Sequence, residues 1–83
     1  GAEVDFLLQH ANLLIPVEVK AGKTGALKSL HQFINAAPHD LGVRLYAGKL
    51  SVEDARTVEG KKFKLLNLPY YLAGKLKAYV DTL

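Results

Sequence analysis

Two segments that alternate polar and apolar residues, separated by His10-Ala11-Asn12, constrain this chain more than anything else in it. Glu3-Val4-Asp5-Phe6-Leu7-Leu8-Gln9 begins on a two-residue period, and Leu13-Leu14-Ile15-Pro16-Val17-Glu18-Val19-Lys20 ends on one. That is the period of a strand with one face buried. A turn at Ala11-Asn12, with Asn12 tolerating positive φ, would join them as a hairpin. The turn sets a register. Leu8 faces Ile15, Phe6 faces Val17 and Val4 faces Val19 on a wholly apolar side. On the other side Gln9 meets Leu14, Leu7 meets Pro16, Asp5 meets Glu18 and Glu3 meets Lys20. A slip of one residue would mix the faces, so the pattern itself supports this pairing.

Further along, Leu27, Leu30, Ile34 and Ala37 recur at helical spacing over 26–37, with Phe33 beside them and Pro38 at the end. Leu41 to Ala47 reads as a strand, so strand, helix and strand form a βαβ crossover between parallel strands. Ser51 and Asp54 have the spacing of a helical turn. Lys62 to Leu66 reads as a short edge strand with lysines on one face. Pro69 opens a helix through about Thr82, striped by Leu72, Leu76, Tyr79, Val80 and Leu83 and weakened by Gly74. The expected fold is α/β, a mixed sheet of four strands with an N-terminal hairpin, a βαβ crossover and a C-terminal helix.

Composition narrows the function classes. A chain of 83 residues suits one domain, 1–83, and buries only roughly 60% of its unfolded surface. It has no Cys, which excludes disulfides, thiolate zinc sites and thiol catalysis. No apolar run reaches the length of a membrane span, and no secretory signal is recognisable, so a cytoplasmic setting is expected. The start at Gly1-Ala2-Glu3, inside a strand-like pattern, reads as a piece of a longer protein with Gly1 a tag remnant. The net charge of +3 is modest, but Lys20, Lys23 and Lys28, and then Lys61, Lys62 and Lys64, form basic stretches that suit a phosphate backbone.

The chemistry concentrates on the hairpin. Opposed carboxylates repel unless a cation lies between them. Asp5 and Glu18 offer the hard oxygen ligands that Mg²⁺ or Mn²⁺ prefers. Lys20, two residues from Glu18, shares its face and would orient an attacking water or neutralise a phosphate. Gly22-Lys23-Thr24 imitates the end of an ATP-binding loop, but Val17 stands where that loop needs its first glycine, so no ATP site is expected. His10, His31 and His39 have no metal-site spacing.

Glu-Val-Asp-Phe-Leu-Leu at 3–8 and Ile-Pro-Val-Glu-Val-Lys-Ala-Gly at 15–22 resemble the PD-(D/E)XK nuclease-like core, of restriction-endonuclease-like fold. More narrowly, with Ser29-Leu30, Phe33 and Leu66-Asn67-Leu68-Pro69-Tyr70-Tyr71, the chain resembles the C-terminal domain of unknown function of bacterial and archaeal AAA-type ATPases. The resemblance implies that Asp5 and Glu18 bind the metal, that Lys20 is the catalytic lysine, and that the substrate is a DNA phosphodiester. It also implies an ATPase domain upstream. A further Gln or Lys on the following helix is common in such domains, and Gln32 or Lys28 could serve. Residues 21–25 read as a turn, and Lys23 in that turn would meet a nucleic-acid phosphate. Such domains often add an acid from an upstream helix, which this chain lacks, so the core is expected to be N-terminally truncated and weak in cleavage. The same fold also serves as a non-catalytic nucleic-acid-binding, protein-interaction or regulatory module. If the first strand is an unprotected edge, a second copy is expected to pair along it.

Overall fold

The computed structural model describes residues 4–20 and 27–83. The turn expected over 21–25, with Lys23, and the Glu3–Lys20 pair both involve residues outside that set.

The hairpin forms in the expected register. Strands β1 (Phe6–His10) and β2 (Leu13–Val19) are antiparallel, with Phe6 opposite Val17, Leu7 opposite Pro16 and Leu8 opposite Ile15. Ala11, rather than Asn12, takes the positive φ of the turn, at 54°. The regular ladder stops at Phe6, so Asp5 and Glu18 are not a paired rung. Helix α1 (Lys28–Ala36) follows, and then β3 (Leu41–Tyr46) lies parallel to β2. Strands β4 (Ser51–Arg56) and β5 (Lys62–Pro69) complete the sheet in the order β1-β2-β3-β5-β4.

The sheet thus has five strands rather than the expected four. Ser51–Asp54 is not a helical turn but part of an edge strand, whose polar residues suit a mostly solvent-facing position. Lys62–Leu66 is not an edge. It begins an interior strand, with β3 parallel on one side and β4 antiparallel on the other. Its lysines mark only the end of the strand that the helical layer leaves uncovered. Lys64 pairs with Asp54 directly across from it, at 2.6 Å. This hydrogen bond and charge hold Asp54 below the usual carboxylate range and lift Lys64 above the usual lysine range.

Both faces of the sheet are covered. Ile15, Val17, Val43, Leu45, Leu66 and Leu68 form one core with Val80, Leu72, Leu76 and Tyr79 of the C-terminal segment. That segment is not one helix to Thr82. A 3₁₀ helix (Tyr70–Lys75) containing Gly74 runs into the short helix α2 (Leu76–Val80). Glycine's backbone freedom lowers the helical stability of this stretch, while the apolar stripe still docks. On the other face Leu27, Leu30 and Ile34 of α1 and its approach pack on Phe63 and Leu65. Gly42 allows this close approach, since a Cβ there would lie 3.0 Å from Leu30 Cδ2. Each fully buried Leu or Ile contributes about 1.5–3 kcal/mol.

Helix α1 has no side-chain cap of its own, no acid in its first turn and no base in its last. Both ends are held from outside. Glu18 Oε1 accepts from Leu30 N at 3.0 Å. Lys61 Nζ donates to the carbonyls of Ile34, Ala37 and His39, each at 2.8 Å. Carboxylate at the start and ammonium at the end match the helix dipole and satisfy backbone groups the helix leaves open. Lys61 therefore belongs to the fold rather than to an open basic patch.

Two outcomes are expected. Lys61→Met should destabilise the domain by about 1–3 kcal/mol in chemical denaturation, because it strips the ammonium from three carbonyls, whereas Lys62→Met should change stability by about 0.5 kcal/mol or less. The edges also differ: β4 carries Glu53, Asp54 and Arg56, while β1 has no Asp, Glu, Lys or Arg and exposes Phe6 and Leu7. Association of two copies along β1 should appear in sedimentation and be lost in Leu7→Lys; a monomer at high concentration would remove it.

Candidate metal and nucleic-acid site

Strand β2 ends at Val19, so Glu18 lies next to its end, Lys20 just beyond it and Asp5 just before β1. Glu18 is 7% exposed, on the α1 side of the sheet. Its two oxygens have different partners: Oε1 meets Leu30 N, and Oε2 lies 3.3 Å from Lys20 Nζ. Lys20 continues the sheet, its N–H donating to Leu45 O at 2.8 Å, and its carbonyl accepts from the Tyr70 hydroxyl. Lys20 is thereby anchored through its backbone while its ammonium reaches Glu18.

Asp5 is exposed, and its Oδ2 accepts from Val19 N at 2.7 Å. That N–H belongs to the residue between Glu18 and Lys20. Because Lys20 N serves β3, Val19 N points the other way, toward β1. The Asp5 carboxylate thus takes the place a β1 carbonyl would occupy in a longer ladder. It caps the hairpin, and Asp5, Glu18 and Lys20 all lie at one end of it. Among the described residues, the one side-chain contact within the three is that of Lys20 with Glu18.

The two carboxylates are hard oxygen donors of the kind Mg²⁺ or Mn²⁺ takes, and the Lys20 ammonium, which is no metal ligand, suits a phosphate beside them. The described residues contain no cluster of three or more His, Cys, Asp or Glu able to hold a metal ion. Of the two acids singled out by sequence, Glu18 already holds α1. Lys28 and Gln32 are both exposed on α1. Gln32 lines a groove with Leu14, Phe33 and Ala36, away from the Glu18 end of the helix.

The structure adds residues that the sequence reading did not select. Glu18 is level with Arg44 on β3, Arg44 with Asn67 on β5, and Asn67 with Ser51 on β4. A polar row thus crosses the sheet toward the C-terminal ends of its parallel strands, the end where open α/β sheets usually bind ligands. Arg44 Nε donates to Asn67 Oδ1 at 2.8 Å, and Asn67 Nδ2 donates to Ser51 Oγ at 3.1 Å. The available signal was one polar residue in each of two otherwise apolar strand segments, Leu-Gly-Val-Arg-Leu-Tyr and Leu-Leu-Asn-Leu-Pro.

Residues 1–71 match the family described as Domain of unknown function (DUF4143). The chain belongs to that family. No curated protein matches it, and no solved structure does. No helix among the described residues of this DUF4143 domain is long and apolar enough to cross a membrane.

The double role of Glu18 makes a specific prediction. Glu18→Ala should cost about 1–3 kcal/mol in chemical denaturation, as the loss of a helix cap does. Glu18→Gln keeps an acceptor for Leu30 N and should cost under about 1 kcal/mol. Equal losses in the two variants would mean that the charge, rather than the cap, holds the helix.

Proposed function

We propose that this DUF4143 chain is a nuclease-like domain that engages DNA phosphodiesters at the C-terminal ends of β2 and β3. Asp5 and Glu18 are its divalent-metal ligands and Lys20 is the base-bearing partner beside them. The observation that carries this reading is the Glu18–Lys20 contact, with Lys20 Nζ 3.3 Å from Glu18 Oε2, and Asp5 Oδ2 on the backbone N–H of the residue between them. A bound Mg²⁺ or Mn²⁺ would supply charge neutralisation of a phosphate and a more acidic water. Lys20 would place its ammonium against the phosphate, and Glu18, held by Leu30 N, would keep its orientation while doing so. The parent chain implied by the sequence resemblance is an AAA-type ATPase, with this domain as its DNA-facing part.

A second reading, a non-catalytic nucleic-acid-binding or regulatory module, is favoured by one feature. Both oxygens of Glu18 have protein partners, so the carboxylate has a structural reason to be there.

Titration with Mg²⁺ and Mn²⁺, followed by NMR, and cleavage assays on DNA separate the two. The first reading expects amide shifts at Asp5, Glu18 and Lys20 that vanish in Glu18→Gln, with weak Glu18-dependent cleavage. Metal-induced shifts without cleavage support the second. Absence of any metal response at the trio would overturn the metal site.

A further inference from the structure

Beyond the acidic trio, one side chain is held in an arrangement that its own strand does not require. Arg44 projects from β3 on the α1 side of the sheet, half-buried, with its guanidinium carbon 4.7 Å from the centroid of the Tyr46 ring. Its Nε is fixed by Asn67 Oδ1. Asn67 is only 1% exposed, and its other end is tied to Ser51, so the amide carbonyl is aimed at Arg44 by its own second bond. A ring and a buried amide thus fix the plane and direction of the guanidinium. Its two terminal nitrogens have no acceptor and no ion pair among the described residues. An oriented guanidinium with its fork unused matches a phosphate oxygen pair.

The fork lines a cleft of about 510 Å³ bounded by Tyr46, Lys49, Ser51, Glu53, Asn67 and Tyr71. Tyr71 is 85% exposed, an unusual position for a large aromatic ring on a domain with two covered sheet faces. An oriented arginine and a solvent-facing aromatic ring in one cleft are the two elements of single-strand recognition, one for backbone phosphate and one for an unstacked base.

We propose that this cleft binds a single-stranded nucleotide, with a backbone phosphate on Arg44 and a base stacked on Tyr71. The inference rests on the DNA-engaging reading above and makes it specific: the strand is single, and it passes along the polar row from Glu18 toward Ser51. Asn67 and Tyr46 are positioning residues, because they act through Arg44. Lys49 adds positive charge to the cleft lining, and Glu53 on β4 disfavours a second phosphate on that side.

The test uses the full chain and a fluorescein-labelled oligodeoxythymidine, read by anisotropy over a range of salt concentrations. Tyr71→Ala, at an exposed position, should weaken binding about tenfold, whereas Tyr71→Phe should change it by about twofold or less. Arg44→Lys keeps the charge but loses the fork and should weaken binding by about five- to tenfold. Arg44→Ala should in addition lower the slope of log affinity against log salt by about 0.7, the loss of one phosphate contact on a single strand. Lys77→Ala, outside the cleft, should leave binding within about twofold. If the wild type binds the oligonucleotide but Tyr71→Ala and Arg44→Lys bind as well as it does, the cleft assignment falls and the DNA-engaging reading stands. If the wild type binds neither single-stranded nor duplex DNA, both fall. Equal affinity for duplex and single strand would overturn the single-strand claim.

Discussion

The fold depends on how helix α1 is held. It is nine residues long, and it carries no cap and no favourable terminal charge of its own. An isolated helix of that length is marginal in water. Its apolar side buries Leu30 and Ile34 against Phe63 and Leu65, while the ends are fixed by Glu18 and Lys61. Those two residues lie on different sides of the helix in the chain, one at the end of β2 and one just before β5. Together they tie the helix to the first and second halves of the sheet. The close approach at Gly42 then determines how deeply α1 seats.

This places a structural and a chemical demand on the same carboxylate. A Glu holding a helix N-terminus has its rotamer fixed, which favours a metal ligand or a phosphate-facing site. The same bond also gives Glu18 a reason to exist in a domain that never cleaves anything. Asp5 has a similar double character, since it caps the hairpin where a backbone carbonyl would otherwise act. The polar row through Arg44 and Asn67 is held by its own hydrogen bonds, from Arg44 to Asn67 and from Asn67 to Ser51.

Much of the first half was legible. The alternation in 3–20 defined a register because a one-residue slip would exchange the buried and open faces. It also set Asp5 directly opposite Glu18, whereas the ladder ends at Phe6 and Asp5 accepts instead from Val19 N. The second half was read less well. Lys62 and Lys64 resemble the protected residues of an edge, yet β5 is interior and its lysines sit where the helical layer ends. Ser51–Asp54 has the composition of a turn, and as an edge strand it has little apolar content to reveal it. Lys61 looked like part of a basic patch because three carbonyls from α1 and the following turn cannot be seen from its neighbours in sequence.

The sequence by itself determined the hairpin pairing, the apolar faces of α1 and the C-terminal segment, and the α/β character. These follow from local periodicity and short-range turn chemistry. Only the tertiary structure decided the strand order, and with it the row from Glu18 through Arg44 and Asn67 to Ser51. That row joins residues up to 49 positions apart in sequence. No periodicity along the chain encodes which strand will lie beside which. Parallel pairing is settled by how the helices cover the two faces, and a lone Arg or Asn acquires its partners only when the sheet closes around it.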